Sequence, residues 1–142
     1  MPSDLQDLGR AIKYAQYRHH RALDSALSTV GTTLAQWDAL RAIDRTPGSS
    51  ARALAPATFQ SEQAFGTLVG RLTAQGLVER RQGHGRRIEH HLTPAGERVL
   101  AAGRRVADET LAGCFAGLSD EDRVTLLDLL QRLNGDGRAQ PL

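Results

Sequence analysis

The stretch that decides the fold is LVGRLTAQGLVERR, at residues 68–81. Its first half completes an apolar stripe at helical spacing, and Gly76 follows as a natural C-terminal stop for that helix. The stripe consists of Phe65, Leu68, Val69 and Leu72. Two short extended runs, residues 77–81 and 87–92, then flank a loop that contains Gly83 and Gly85. This pattern predicts a helix that leads directly into a β-hairpin.

Upstream of this stretch, the sequence predicts two short helices joined by a tight turn. Ser50 to Ala55 form the first helix, and Pro56 is expected to force a turn after it. Ser61 is a suitable N-cap for the second helix, with Glu62 in the first turn, where the helix dipole favours an acid.

Longer helices are predicted on both sides. One runs from Leu5 to just before Gly31, and a second starts with a Thr33–Gln36 capping box and stops at Thr46-Pro47-Gly48. Thr93-Pro94 restarts a helix, with proline at its first position. Ser119 caps a last helix, and a frayed tail is expected from Gly135 to Leu142.

Length and composition favour one globular domain over the 142 residues. The chain lacks an apolar run of roughly 18 residues and an N-terminal signal pattern, so we expect a cytoplasmic protein without a membrane segment. The only cysteine, Cys114, excludes an intramolecular disulfide. The adjacent histidine pairs lack the spacing of a metal site, so no metal or cofactor is expected. No nucleophile–base pair or carboxylate dyad appears, which argues against an enzyme.

Positive charge is concentrated in the middle of the chain. Residues 41–91 contain eight arginines and four acids, whereas the net charge of the whole chain is only +2. A basic centre between mildly acidic ends is typical of a nucleic-acid contact surface. An arginine-rich solvated surface without a nucleic-acid partner would show the same bias, since the chain has 17 arginines and one lysine.

Together these elements predict a mainly α protein with a small β-hairpin, an α+β winged helix-turn-helix lobe carried on outer helices. In such a lobe the second helix of the pair enters the major groove. The hairpin places arginines against phosphates or in the neighbouring minor groove.

Residues 34–100 resemble the central region of the MarR family of bacterial regulators. The run LVGRLTAQGLVERR and the following LTPAG, residues 92–96, are similar to the family patterns LVxRLxxxGLVxRR and LTxxG. The resemblance implies a homodimer within a single domain, 1–142. Its winged-helix lobe would cover about 33–93, and its dimerisation helices about 4–30 and 94–134. It also implies repression or activation tuned by a small molecule or by oxidation. The chain departs from the pattern at Thr58-Phe59-Gln60 and in a shorter wing without its usual aspartate.

We expect contacts to double-stranded DNA from ten residues of the lobe. Gln63 suits adenine, Thr67 a thymine methyl and Glu62 a cytosine amine. The full set is Arg52, Ser61, Glu62, Gln63, Thr67, Arg71, Arg81, His84, Arg86 and Arg87. His90 or His91 could add a phosphate contact. Gly66 and Gly70 on the outer face admit three explanations: close approach to DNA, close packing within the protein, or simple tolerance of glycine.

An aromatic or anionic effector could bind where the outer helices meet the lobe, as the resemblance implies. The candidate pocket residues are Tyr14, Tyr17, His20, Arg21 and Trp37. Trp37 could equally be a core residue. Residues 126–133 are apolar on more than one side, which favours a second copy of the chain as partner, or else burial within the subunit. The sequence thus predicts a DNA-binding regulator. The alternative is a winged-helix docking module without an operator.

Overall fold

The structure is a computed structural model that describes residues 4–135. Within that range six helices surround one antiparallel hairpin. They are α1 (Leu5–Ser28), α2 (Leu34–Arg45), α3 (Ala51–Ala57), α4 (Glu62–Ala74), β1 (Val78–Gln82), β2 (Ile88–Leu92), α5 (Pro94–Cys114) and α6 (Asp120–Leu133). This confirms the predicted α+β class and the order of elements. Residues 136–142 of the predicted tail lie outside the described range.

Each helix begins at a side chain that caps its free backbone donors. The N-caps are Asp4, Thr33, Ser50, Ser61, Thr93 and Ser119. The side chain of Ser61 accepts from the Ala64 amide at 3.1 Å, and that of Thr93 accepts from the Gly96 amide at 3.0 Å. Because a cap contributes about 1 kcal/mol, these residues fix where each helix starts.

The predicted capping box of α2 forms only in part. Thr33 Oγ1 accepts from the Gln36 amide at 3.1 Å, as expected. The side chain of Gln36 does not return to Thr33. Its Oε1 instead accepts from Thr32 Oγ1 at 3.2 Å, because both groups are buried and each supplies the other's partner.

The expectation that Pro56 ends α3 was wrong. Pro56 lies inside the last turn of the helix, and the chain turns later, at Phe59, whose φ is +59°. Proline removes only its own N–H, and the carbonyls of Leu54 and Ala55 still accept from Thr58 and Gln60 at 3.2 and 2.9 Å. The short helix therefore tolerates the ring.

The core lies between α2, α4 and α5, with the hairpin and α3 packed against it. Its largest fully buried side chains are Phe65, Leu27, Leu40, Ile43, Leu54, Leu72 and Val69. Trp37 closes one end, and its Nε1 donates to the Leu100 carbonyl at 3.2 Å. Gly103 of α5 faces that indole so closely that a Cβ at position 103 would overlap the ring.

The outer helices are packed much less. In α1 only Leu27 is buried, and α6 has no buried residue. Leu127, Leu129 and Leu133 of α6 are exposed, as are Leu5 and Leu8 of α1. Burial of α6 within its own subunit, one of the two explanations for its leucines, is therefore wrong for the described chain.

Candidate DNA-binding surface

Helix α4 has one buried face and one polar, solvent-exposed face. Phe65, Val69 and Leu72 fix it against the core. The exposed side carries Glu62, Gln63, Thr67 and Arg71, along with the less exposed Gly66 and Gly70. The stripe predicted from the sequence therefore has the predicted orientation, and four of the expected DNA-contacting side chains lie together on one helix.

The two glycines on this face have different surroundings. A Cβ at Gly66 would meet no atom of the described chain within 4 Å, whereas one at Gly70 would lie 3.7 Å from Arg80 Nη2. Packing within the protein therefore does not account for Gly66. Close approach to another molecule and simple tolerance of glycine both remain for Gly66.

The hairpin that follows α4 is anchored at its root by His90. The His90 amide donates to the Ser49 carbonyl at 3.2 Å, its Nδ1 lies 2.9 Å from the same oxygen, and its carbonyl accepts from the Gly48 amide at 2.9 Å. Its ring meets Phe65 edge to face at 6.3 Å. His90 therefore ties the hairpin to α4 and to the loop before α3.

The expected phosphate contact of His90 is wrong, because its side chain is buried and only 3% of the residue is exposed. Burial lowers the pKa of His90 below its ordinary value, and the positive charge of Arg80 adds to this effect. The imidazole is therefore neutral at pH 7 and has a structural role.

One face of the hairpin carries alternating charges. Glu79 and Arg81 on β1 lie opposite His91 and Glu89 on β2. Arg81 Nε and Nη2 donate to the two Glu79 carboxylate oxygens, each at 3.2 Å, and the Glu89 and His91 side chains meet at 3.1 Å. The bond from Arg81 lowers the pKa of Glu79, and the bond from His91 lowers that of Glu89. Arg81, an expected DNA residue, is thus held by an internal partner.

The tip of the hairpin is closed by its own hydrogen bonds. The Gly83 amide donates to the Arg87 carbonyl at 2.8 Å, and Gln82 Nε2 donates to the Gly85 carbonyl at 2.8 Å. Arg87 Nη2 reaches back to the Gly48 carbonyl at 3.2 Å. Arg86 forms no ion pair with any residue in 4–135. The tip therefore presents His84 and Arg86 outward, with Arg87 folded toward the α2–α3 loop.

The other expected DNA residues are exposed as well. Arg52 is an exposed residue in the first turn of α3. Ser61 already uses its hydroxyl as the α4 cap. Sequence reasoning left out Arg80, although its guanidinium lies against α4. Only the cross-strand register, which pairs Arg80 with His90, shows which way that side chain points.

A cavity of about 920 Å³ lies where α1, α2, α5 and α6 meet. Its lining includes His20 and Trp37, two of the five predicted pocket residues. Arg41 stacks on the Trp37 ring at 4.6 Å and pairs with Asp38 at 3.3 Å. Burial raises the pKa of Asp38, and the Arg41 charge opposes that shift. The wall thus combines an aromatic surface with charged groups.

The other three predicted pocket residues do not line this cavity. Tyr14, Tyr17 and Arg21 lie on the opposite face of α1, and Arg21 Nη1 donates to the Tyr17 hydroxyl at 2.8 Å. Grouping them with Trp37 was wrong for a single subunit, because the helical rotation separates Tyr14 and Tyr17 from the His19–His20 side. Trp37 itself is both core and lining, with 5% of its surface exposed.

Residues 4–135 contain neither a membrane-spanning helix nor a cluster of metal ligands. None of the helices there is long and apolar enough to span a membrane. No group of three or more histidine, cysteine or acidic side chains is placed to hold a metal ion.

The helix pair, the anchored hairpin and the polar face of α4 define a winged helix-turn-helix protein. Comparisons with known proteins identify its family. The sequence model of the MarR family matches residues 30–88. A transcriptional regulatory protein for the hcr operon of Thauera aromatica is 31% identical over 130 residues, which cover 89% of this chain and 78% of that protein. The chain belongs to the MarR family of transcriptional regulators, and it is a regulator rather than an enzyme.

Solved structures agree with this assignment. A Mycobacterium tuberculosis MarR family protein in complex with salicylic acid is 26% identical, with a TM-score of 0.74 over 89% of this chain and 95% of that one. A mutant MarR of Escherichia coli complexed with operator DNA has the same fold. It gives a TM-score of 0.85 at 22% identity, over 92% of this chain and 95% of that one.

Proposed function

We propose that the chain is a homodimeric repressor that binds a pseudo-palindromic DNA site and is released from it by a small aromatic or anionic effector. The observation that carries the proposal is the polar face of α4, which lies beside an anchored basic hairpin. Residues 33–93 would form the DNA-binding lobe, and residues 4–30 and 94–134 the dimerisation helices. The protein would act in the cytoplasm, where it meets the chromosome.

Each α4 helix would enter one major groove of the operator. Gln63, Thr67 and Glu62 would meet base edges, and Arg52 and Arg71 would meet phosphates. In a symmetric dimer the two helices would lie about 34 Å apart, one turn of DNA or roughly 10 base pairs. The solved relative bound to operator DNA supports this use of the fold.

Arg86 is the wing arginine that we propose for the minor groove. Arg81 is paired with Glu79 and Arg87 donates to Gly48, so each would have to leave an internal partner first. Arg86 has no ion pair among residues 4–135 and lies at the tip. Its guanidinium therefore reaches DNA without breaking an existing ion pair.

The decisive experiment is fluorescence anisotropy with DNA from upstream of the protein's own gene, at two salt concentrations. The wild-type chain should prefer this DNA over an unrelated duplex of equal length, and its affinity should fall steeply with salt. Arg86→Ala should weaken binding by roughly tenfold or more, from about 1–3 kcal/mol for a groove contact. Arg87→Ala is the matched control, and we expect a smaller loss from it. A dimer without preference for any duplex would instead support a docking module.

The cavity beside Trp37 is the proposed effector site. The salicylic acid complex of the 26% identical relative supports an aromatic carboxylate as the first probe. Salicylate should bind the wild-type protein in calorimetry and lower its affinity for DNA. His20→Ala should weaken salicylate binding, whereas Tyr14→Ala, on the opposite face of α1, should not. Equal effects from both variants would contradict this placement of the site.

A further inference from the structure

We propose that Arg80 grips the DNA phosphate backbone at the junction between α4 and the wing. The inference deepens the proposed function, on which it rests, by adding a residue that the sequence did not assign to DNA contact. Its basis is the position of one guanidinium group and the absence of an internal partner for it.

The position of Arg80 is fixed by the hairpin register. Arg80 lies opposite His90, whose buried ring packs on Phe65 of α4 and bonds to Ser49. The backbone that carries Arg80 is therefore held against α4. From there Nη2 extends over α4 to within 3.7 Å of the point that a Gly70 Cβ would occupy.

The charge of Arg80 is not used inside the described protein. No carboxylate of residues 4–135 forms an ion pair with it. By contrast, its sequence neighbour Arg81 is bound by Glu79 through two hydrogen bonds. Arg80 and Arg81 are adjacent in sequence, yet within residues 4–135 Arg81 is paired and Arg80 is not.

The architecture of DNA supplies that anion. The major groove that receives α4 and the minor groove that receives the wing are separated by one sugar–phosphate backbone. This backbone must cross the protein surface between α4 and the hairpin, where Arg80 lies. Arg71, the exposed residue after Gly70, is a second positive charge, and it lies on α4. Arginine suits this position because its planar fork donates two parallel hydrogen bonds to a phosphate.

Gly70 contributes no side chain to the surface between α4 and the hairpin. A side chain at position 70 would start in contact with the Arg80 guanidinium and would extend toward the passing backbone. With hydrogen alone at position 70, no side chain of that residue lies between the helix and the Arg80 guanidinium.

The test measures salt dependence. Wild type, Arg80→Ala, Arg80→Gln and Arg80→Lys are titrated with the operator and with an unrelated duplex between about 50 and 200 mM salt. Arg80→Ala and Arg80→Gln should lose roughly tenfold in affinity per subunit on both duplexes, as expected for one charged hydrogen bond in each subunit. They should also lower the slope of log K against log salt by about 0.9 per subunit. Arg80→Lys should keep the slope and lose only part of the affinity. Arg105→Ala removes an equal charge from α5 and should change neither quantity.

Each outcome is decisive. A wild-type slope in Arg80→Ala and Arg80→Gln, with both variants folded by thermal melting, would overturn the assignment. A loss on the operator alone would also overturn it, because a phosphate contact is independent of sequence. If the wild-type protein bound both duplexes equally, the operator proposal would fail, while a lowered slope would still support Arg80. If the wild-type protein bound no duplex, both would fail.

Discussion

The lobe from α2 to β2 and the outer helices α1 and α6 differ in how much apolar surface they bury within the subunit. The lobe encloses its own core, with Phe65, Leu40, Ile43 and Leu54 fully buried. Helix α6 has no fully buried residue, and in α1 only Leu27, near the end of the helix, is buried. Burial of a leucine stabilises a fold by roughly 2 kcal/mol, so the lobe has its stabilising contacts within the subunit and α6 does not. The lobe therefore completes its core within one chain, whereas the outer helices leave large apolar side chains exposed.

The largest effect should come from emptying the core of the lobe. Phe65→Ala should lower the free energy of unfolding by about 3–5 kcal/mol, because it leaves a cavity between α4, the hairpin and α2. Urea denaturation followed by circular dichroism measures this loss. Phe59→Ala is the control, since Phe59 is 76% exposed. We expect it to change stability by less than about 0.5 kcal/mol. Similar losses from both variants would contradict the core described here.

Helix α6 should respond in the opposite way. The double substitution Leu127→Gln/Leu133→Gln removes two leucines that are 57% and 64% exposed, so the fold of the subunit should remain. Dimerisation should weaken by roughly 3 kcal/mol, about a hundredfold or more in the dissociation constant. Sedimentation equilibrium measures the association, and circular dichroism checks the fold. Unchanged association would show that these leucines lie outside the interface.

The sequence predicted the lobe well because its signals are local. Ser61, Gly76 and Thr93 mark helix ends through hydrogen bonds to their own neighbours, and the hairpin closes within residues 78–92. Two predictions were wrong. Pro56 does not end α3, because the helix tolerates one missing donor. The Gln36 side chain does not complete the capping box, because its Oε1 accepts from Thr32 instead. Both outcomes depend on neighbours that a pattern does not show.

Acid should weaken the lobe through His90. Burial lowers the pKa of His90, so as the pH falls the unfolded chain binds a proton while the native imidazole remains neutral. Stability should therefore fall as the pH drops below about 6.5, until the native pKa is reached, and His90 should make no contribution at higher pH. Thermal melting between pH 5 and 8 should show a shallower decline for His90→Gln. An equal decline in the wild type and in His90→Gln would exclude His90 as the cause.

The smallest effect concerns Gly66 on the outer face of α4. Gly66→Ala should stabilise the free protein by about 1 kcal/mol, because alanine favours the helix and its Cβ meets no described atom within 4 Å. The same change should weaken operator binding if α4 lies close to DNA. Gly9→Ala in α1, also without neighbours, should stabilise similarly and leave DNA binding intact. A Gly66→Ala variant with full affinity would show that the glycine is only tolerated.

The site was harder to predict than the fold. The exposed residues of α4 could be predicted from helical spacing, because the buried apolar stripe determines which residues lie on the opposite side of the helix. The lining of the pocket could not be predicted from helical spacing, because Tyr14 and Tyr17 lie on the side of α1 away from Trp37. Which side of α1 faces the pocket is set by its packing against α5 and α2. Arg80 and Arg81 were equivalent in the sequence, and only the register and the Glu79 bond distinguish them.

The double attachment of the hairpin has a consequence for the timing of DNA recognition. Gly48 and Ser49 hold its root through His90, and Gly83 to Arg87 close its tip. Ordering a free segment costs about 1–2 kcal/mol per residue, so a loose hairpin of some fifteen residues would have to recover roughly 15–30 kcal/mol at the moment of contact. Here that entropy is lost when the chain folds. If the chain binds DNA as proposed, its wing meets the duplex already shaped, and the contacts add to affinity with little further ordering.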